Sequence, residues 1–207
     1  MPSPSGTDSA LLETVFVVGD APAGEEPRYI LPTLTFPDWD EMAVHVGMPY
    51  LLSALVTSLQ PEVVVEAGTY KGHGALAIAH TLHTIKRGHL YTADPIDQGV
   101  AGLLERSGFT GSATYIHDTY ERMLSDRFKL NSIDLAFIDA SGHAADGTMR
   151  MRHLLMTMDR LRMGGVIVMD DIGAVDWPFV NVIRTLSQLY LPGMRGVAIY
   201  QKRTDLT

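Results

Sequence analysis

Six carboxylates, Glu66, Asp94, Asp118, Asp139, Asp170 and Asp171, stand at the ends of short apolar segments. If those segments are strands of one sheet, their ends converge on one place, and acids gathered there favour cationic ligands. Glu66 opens the turn Glu66-Ala67-Gly68-Thr69-Tyr70-Lys71-Gly72-His73-Gly74, which follows three valines and leads into a helical pattern. Glycine lets the backbone approach a ligand closely, and the start of a helix offers N–H donors. The spacing is not the dinucleotide fingerprint Gly-x-Gly-x-x-Gly. It is not a phosphate loop either, since no Gly-Lys-Ser/Thr follows. An acid at this strand end suits a cation better than a pyrophosphate.

The next acids carry their own chemistry. Asp94 ends the segment Tyr91-Thr92-Ala93, where a carboxylate can accept hydrogen bonds from both hydroxyls of a ribose. Asp118, in Ile116-His117-Asp118-Thr119, can cap the helix that starts at Thr119. Asp139 follows Phe137-Ile138, and Asp170-Asp171 close Gly164-Gly165-Val166-Ile167-Val168-Met169. The Asp pair can equally cap the turn that follows it.

These residues need elements to position them. From Trp39 to Leu59 the pattern is helical, with Leu51, Leu52, Leu55, Val56 and Leu59 at spacings of three and four, and Pro61 ends it. Beyond Pro61, strand and helix alternate. Val63 to Val65 is a β-branched run suited to a strand buried on both faces. Further strands are predicted at Leu90 to Ala93, Thr114 to Ile116, Ile133 to Ile138, Val166 to Met169 and Gly196 to Gln201. Helices are predicted over 72–86, 97–107, 119–127, 144–162 and 177–188, the fourth with Met151, Leu154, Leu155, Met158 and Leu161 on one face. Such alternation predicts an α/β domain, a mostly parallel, doubly wound sheet with helices on both faces. Ligands of such sheets bind beyond the carboxyl ends of the strands. Residues 1–37, rich in Pro and Gly, are expected to form a partly irregular N-terminal arm before one domain over 38–207.

Composition narrows the classes. The chain has 207 residues with 16 Lys and Arg against 24 Asp and Glu, a net charge of −8. Hydrophobic residues make up 46 %, which is globular composition. The acidic balance argues against a nucleic-acid backbone binder, which needs a basic face. With no cysteine, disulfides, thiolate zinc sites and Cys nucleophiles are excluded, and a reducing cytoplasm fits. The start MPSPSGTDSA does not read as a signal peptide, and no apolar run reaches the roughly 18 residues of a membrane span, so a soluble protein is expected.

The pattern Glu66-x-Gly68-x-x-x-Gly72-x-Gly74 after the first strand resembles motif I of class I S-adenosylmethionine-dependent methyltransferases. The resemblance runs from about Gly47 to Gln201. It implies a Rossmann-like, seven-stranded sheet with an antiparallel last strand. It also implies cofactor binding by Glu66, Gly68, Thr69, Tyr70, Gly72, Gly74, Asp94, Asp118, Thr119 and Asp139. Within that set Asp94 takes the ribose, and Asp118 lies in the segment that lines the adenine.

In that family the fourth and fifth strands lie side by side, about 4.8 Å apart. Asp139, Asp170 and Asp171 would then crowd one corner, and a divalent cation would relieve their repulsion. Oxygen ligands suit Mg²⁺, with Mn²⁺ or Ca²⁺ as alternatives. The pattern resembles the metal-dependent O-methyltransferases of the catechol and macrolide-sugar types, with Asp171 closer to the sugar branch. The implied reaction is metal-assisted O-methylation of a small-molecule hydroxyl. His143 is the candidate base and Asp139 its catalytic neighbour; His143 can equally be a loop or helix-capping histidine. The alternatives are a metal-independent methyltransferase, a different reaction such as hydroxylation on this scaffold, and a non-catalytic nucleotide-binding protein. The family also accommodates a homodimer. His73, His80 and His83 lack a carboxylate in register for zinc. Trp39, Met42, Gly47, Met48, Trp177 and Pro178 are either pocket wall or ordinary packing.

Overall fold

The computed structural model describes residues 47–140, 148–170, 172, 186–191 and 196–203, with 186–191 described by their backbone. Helix α1 (Met48–Leu59) begins with Pro49 in its first turn, where the missing N–H costs nothing. It buries Met48, Leu52 and Val56 at a four-residue spacing, and it stops at Gln60, whose left-handed backbone lets its N–H bond Val56 O at 2.9 Å. Strand and helix then alternate: β1 (Val63–Ala67), α2 (His73–Ile85), β2 (His89–Ala93), α3 (Val100–Arg106), β3 (Ala113–Ile116), α4 (Tyr120–Arg127), β4 (Ile133–Ile138), α5 (Thr148–Arg160) and β5 (Leu161–Met169). Strands β6 (Leu186–Leu191) and β7 (Val197–Lys202) complete the sheet.

The strand order is β3-β2-β1-β4-β5-β7-β6. The first five are parallel, and β7 runs antiparallel between β5 and β6. Successive strand residues face opposite sides, so the sheet divides the core in two. Val64, Leu135, Phe137 and Val168 pack with α1 and α2 through Leu52, Val56, Ile78 and Leu82. Val65, Ala67, Ile138 and Ile167 pack with α4 and α5 through Met123, Leu124, Leu154 and Met158. The winding reverses between β1 and β4, which is where a doubly wound sheet opens its ligand crevice. Among the described residues no helix is long and apolar enough to cross a membrane.

The amino-terminal edge of the sheet is stitched by charge. Asp134 Oδ2 accepts the backbone N–H groups of Glu62 (2.8 Å) and Val63 (2.7 Å), and its Oδ1 pairs with Arg162. The buried Lys202 ammonium donates to Leu161 O (2.8 Å), Asn131 Oδ1 (2.9 Å) and Met158 O (3.3 Å). Arg160 donates to Leu124 O and Met156 O, both at 3.1 Å.

Two sequence expectations need correction. Residues 186–188, read as the end of a helix, belong to β6 and pair with β7; 177–185 lie outside the described residues. The pairing with β7 decides the conformation from 186 onward. The buried face of α5 is Arg150, His153, Leu154, Thr157 and Met158, while Leu155 is 49 % exposed and Leu161 already belongs to β5. Thr157 is accommodated on this face because its Oγ1 donates to His153 O at 2.6 Å and contacts Tyr120 Oη at 2.8 Å. The 1–37 arm, Trp39, Met42, Trp177 and Pro178 lie outside the described residues.

Candidate functional site

The parallel register fixes which residues emerge together at the carboxyl edge. Ala67 aligns with Ala93 and Ile138, and Ile138 aligns with Met169. The next residue along each strand therefore forms one row: Asp94 after β2, Gly68 after β1, Asp139 after β4 and Asp170 after β5. Backbone bonds extend the ladder through this row, from Gly68 N–H to Ala93 O (3.1 Å), Asp139 N–H to Ala67 O (2.9 Å) and Asp170 N–H to Ile138 O (3.1 Å). Asp139 and Asp170 thus occupy equivalent positions on adjacent strands, about 4.8 Å apart. Asp170 is buried and Asp139 half-buried.

Gly68 is the one member without a side chain, and the space explains it. Its φ is +85°, and an added Cβ would lie 2.7 Å from Asp139 O and 2.8 Å from Ala140 Cα. The turn then climbs through Thr69 and Tyr70 to Gly72, whose φ of +86° starts α2. Tyr70, 43 % exposed, holds a left-handed backbone with φ of +44°. The Lys71 ammonium lies 5.8 Å from the centre of the Tyr70 ring. Gly74 packs against Phe137 and the Glu66 carboxyl.

Glu66 lies beneath this turn and is 1 % exposed. Thr92 donates its hydroxyl to Glu66 Oε2, and Thr69 shares a hydrogen bond with the same Thr92 hydroxyl. Burial pushes the Glu66 carboxyl up to about 8; the Thr92 bond opposes this and the nearby Asp94 charge adds to it. Glu66 is therefore largely neutral at pH 7. It links β1, β2 and the turn from within the fold.

Asp94 sits at the surface of the same corner. Its Oδ2 accepts Tyr70 N–H at 2.9 Å and its Oδ1 accepts Ile96 N–H at 2.9 Å. An ionised carboxylate offers about four acceptor positions. These two bonds use one position on each oxygen and orient the group. Ile96, two residues on, is 62 % exposed.

Asp118 and Thr119 divide a role that sequence had given to Asp118 alone. Thr119 is the N-cap of α4, accepting Arg122 N–H at 3.3 Å through its Oγ1. Asp118 Oδ1 accepts Thr119 N–H at 2.8 Å, and its Oδ2 lies 3.4 Å from Arg122 Nη1. His143 and Asp171 lie outside the described residues. Among the described residues no three His, Asp or Glu side chains form a metal-binding group. His80 and His83 pack on Phe109 at 5.7 and 5.6 Å, and burial lowers the His80 pKa.

Three residues that sequence reasoning did not select complete this corner: Thr92, Tyr115 and His117. Tyr115 Oη lies 3.2 Å from Asp94 O and 3.4 Å from Ile96 O, and His117 Nε2 lies 3.1 Å from Pro95 O. The only signal was the pair of polar aromatics two residues apart before Asp118.

A family model described as a methyltransferase domain matches residues 65–172, which is 108 of the 207 residues. No curated protein matches the chain. Solved structures do. An S-adenosylhomocysteine-bound methyltransferase from Podospora anserina is 19 % identical, with a TM-score of 0.64, covering 82 % of this chain and 83 % of that one. The O-methyltransferase TomG from Streptomyces achromogenes, involved in tomaymycin synthesis and bound to S-adenosylmethionine, is 19 % identical. Its TM-score is 0.62, with 78 % of this chain and 82 % of that one covered. An O-methyltransferase from Bacillus cereus in complex with S-adenosylhomocysteine is 17 % identical, with a TM-score of 0.63, covering 77 % and 82 %. At these identities the likeness establishes the fold.

Proposed function

The chain belongs to the methyltransferase-domain family, and from that premise we propose that it moves a methyl group from S-adenosylmethionine to a hydroxyl oxygen of a small molecule. The observation that carries this is the row Asp94–Gly68–Asp139–Asp170 along the carboxyl edge. It combines a side-chain-free cradle with carboxylates on either side. The bound cofactor supplies a methyl carbon on a positively charged sulfur; transfer forms the C–O bond, breaks the C–S bond and returns the electron pair to sulfur.

The chain's own residues bind and orient. Asp94 turns its two remaining acceptor positions to the ribose hydroxyls. The exposed Ile96 offers an apolar surface beside them for the adenine. Gly68 keeps the turn low enough for the cofactor to lie across the strand ends. In-line displacement gains much of its rate from such positioning. The acidic edge also favours a sulfonium cation over its neutral product.

The O-methyl assignment draws on the named activities of TomG and the Bacillus cereus enzyme. Asp139 and Asp170 on adjacent strands, with Asp171 next in sequence, form an oxygen donor set that suits Mg²⁺. Asp139 and Asp170 would hold the ion, which would supply a lowered pKa and a fixed orientation to an acceptor hydroxyl. His143, four residues after Asp139, is the proposed base for the hydroxyl proton.

The test is incubation with methyl-labelled S-adenosylmethionine and a panel of small phenols, sugars and amines, with and without exhaustive chelation. Label on oxygen, lost on chelation and restored by Mg²⁺, is expected. Full activity after chelation removes the metal, and labelling of nitrogen alone removes the hydroxyl acceptor. His143→Ala should lower turnover while leaving S-adenosylhomocysteine affinity within about twofold.

A further inference from the structure

The loop Asp94-Pro95-Ile96 is held from below by the end of the edge strand β3. Tyr115 lies on that strand and His117 just past its end, and the two rings come side by side. Their rings lie nearly parallel, 16° apart, with centres 6.5 Å apart. The Tyr115 hydroxyl has one proton to donate, and it lies between the carbonyls of Asp94 (3.2 Å) and Ile96 (3.4 Å). His117 Nε2 faces the carbonyl between them, that of Pro95, at 3.1 Å. A carbonyl is only an acceptor, so this bond requires the proton on Nε2. Two side chains thus engage three consecutive carbonyls.

From this geometry we propose that Tyr115 and His117 are positioning residues for the cofactor's ribose, acting through Asp94. The Asp94 carboxylate is oriented by Ile96 N–H and Tyr70 N–H. Tyr70 N–H belongs to the β1–α2 turn, so its position does not depend on β3. Ile96 N–H and the Asp94 backbone belong to the loop that Tyr115 and His117 hold. If that loop relaxes, the Asp94 carboxylate loses one of its two guides and its acceptor positions turn away from the ribose hydroxyls. Burial and the charges of Asp97 and Asp94 push the Tyr115 phenol up to about 12, so it remains a donor across the working pH range. Pro95 contributes no N–H, which leaves its carbonyl as the only backbone group through which this residue can be hydrogen-bonded.

The proposal rests on S-adenosylmethionine being the cofactor, and its test separates the two. The affinities of full-length wild-type, Tyr115→Phe, His117→Ala and His117→Gln proteins for S-adenosylhomocysteine and for its 2′,3′-dideoxyribose analogue are measured by calorimetry. Tyr115→Phe and His117→Ala are expected to weaken S-adenosylhomocysteine about fivefold each, the scale of one hydrogen bond. Both are expected to change the dideoxy analogue by less than about twofold, because the contact they support is already gone. His117→Gln, which keeps a donor, should recover most of the loss. At saturating cofactor, turnover should stay within about twofold while the cofactor KM rises. An equal loss for both ligands, or no loss for either, overturns the positioning role while leaving the cofactor assignment intact. Failure of the wild-type protein to bind S-adenosylhomocysteine overturns both.

Discussion

At the amino-terminal edge of the sheet, Asp134 pairs with Arg162 and accepts two backbone N–H groups, and Lys202 is ringed by three oxygen acceptors. At the carboxyl edge, Glu66 is held by a threonine hydroxyl and Asp94 by backbone N–H groups, and the Asp94 charge raises the cost of ionising Glu66. Both edges are rich in charge. One engages it with partners inside the fold, so its side chains contribute to stability. The other keeps Glu66 neutral and orients Asp94 through uncharged N–H donors, so the Asp94 charge is available to a cationic ligand. Burial shows the same contrast. Lys202 is 4 % exposed, whereas Asp94 is half-buried beside an Ile96 that is 62 % exposed.

Substitutions at the two edges should therefore separate stability from binding. The largest effect is expected at Gly68→Ala, where strain at φ +85° adds to collision with the Asp139–Ala140 backbone. A loss of about 3 kcal/mol in urea unfolding is expected, together with loss of cofactor binding. A variant as stable as wild type would mean the turn is not closely packed on β4. Asp134→Ala comes next. It strands two N–H groups and Arg162, and should cost about 2–3 kcal/mol while leaving cofactor affinity unchanged. Weakened cofactor binding in this variant would blur the distinction between the edges.

Asp94→Ala should behave in the opposite way, with affinity for S-adenosylhomocysteine falling about 30-fold, or roughly 2 kcal/mol, for two charge-assisted bonds. Its stability should stay within about 1 kcal/mol of wild type. A further effect concerns Glu66 and has a defined sign. Its carboxyl is raised from 4.5 to about 8 on folding, so the native state binds more protons than the unfolded chain between those values. Stability should consequently fall as pH rises from about 4.5 to about 8. Glu66→Gln, which is permanently neutral, should flatten that slope and unfold at a higher temperature than wild type at pH 8. Parallel pH profiles for the two proteins would show that Glu66 ionises freely in the fold.

Much of this was legible in the chain. Val63–Val65 and Ile133–Ile138 read as buried strands because both of their faces are covered by helices, and Asp139 marks where the second of them ends. Sequence could not show that Asp94, Gly68, Asp139 and Asp170 share one register row, because register is a property of pairing between strands. Strand β6 was obscured for a related reason. Its conformation depends on β7, and its local apolar spacing suits a helix as well. Tyr115 reads as an ordinary strand residue and His117 as the residue after it, since the loop carbonyls they hold come into reach only after β2 and β3 align.

The central claim is that the acidic carboxyl edge is a site for an S-adenosyl cofactor. Its most direct test is calorimetric titration of wild-type, Asp94→Ala and Asp134→Ala proteins with S-adenosylhomocysteine. One site per chain is predicted for wild type, with affinity about 30-fold weaker in Asp94→Ala and within about twofold of wild type in Asp134→Ala. No binding by the wild-type protein, or equal binding by wild type and Asp94→Ala, would contradict it.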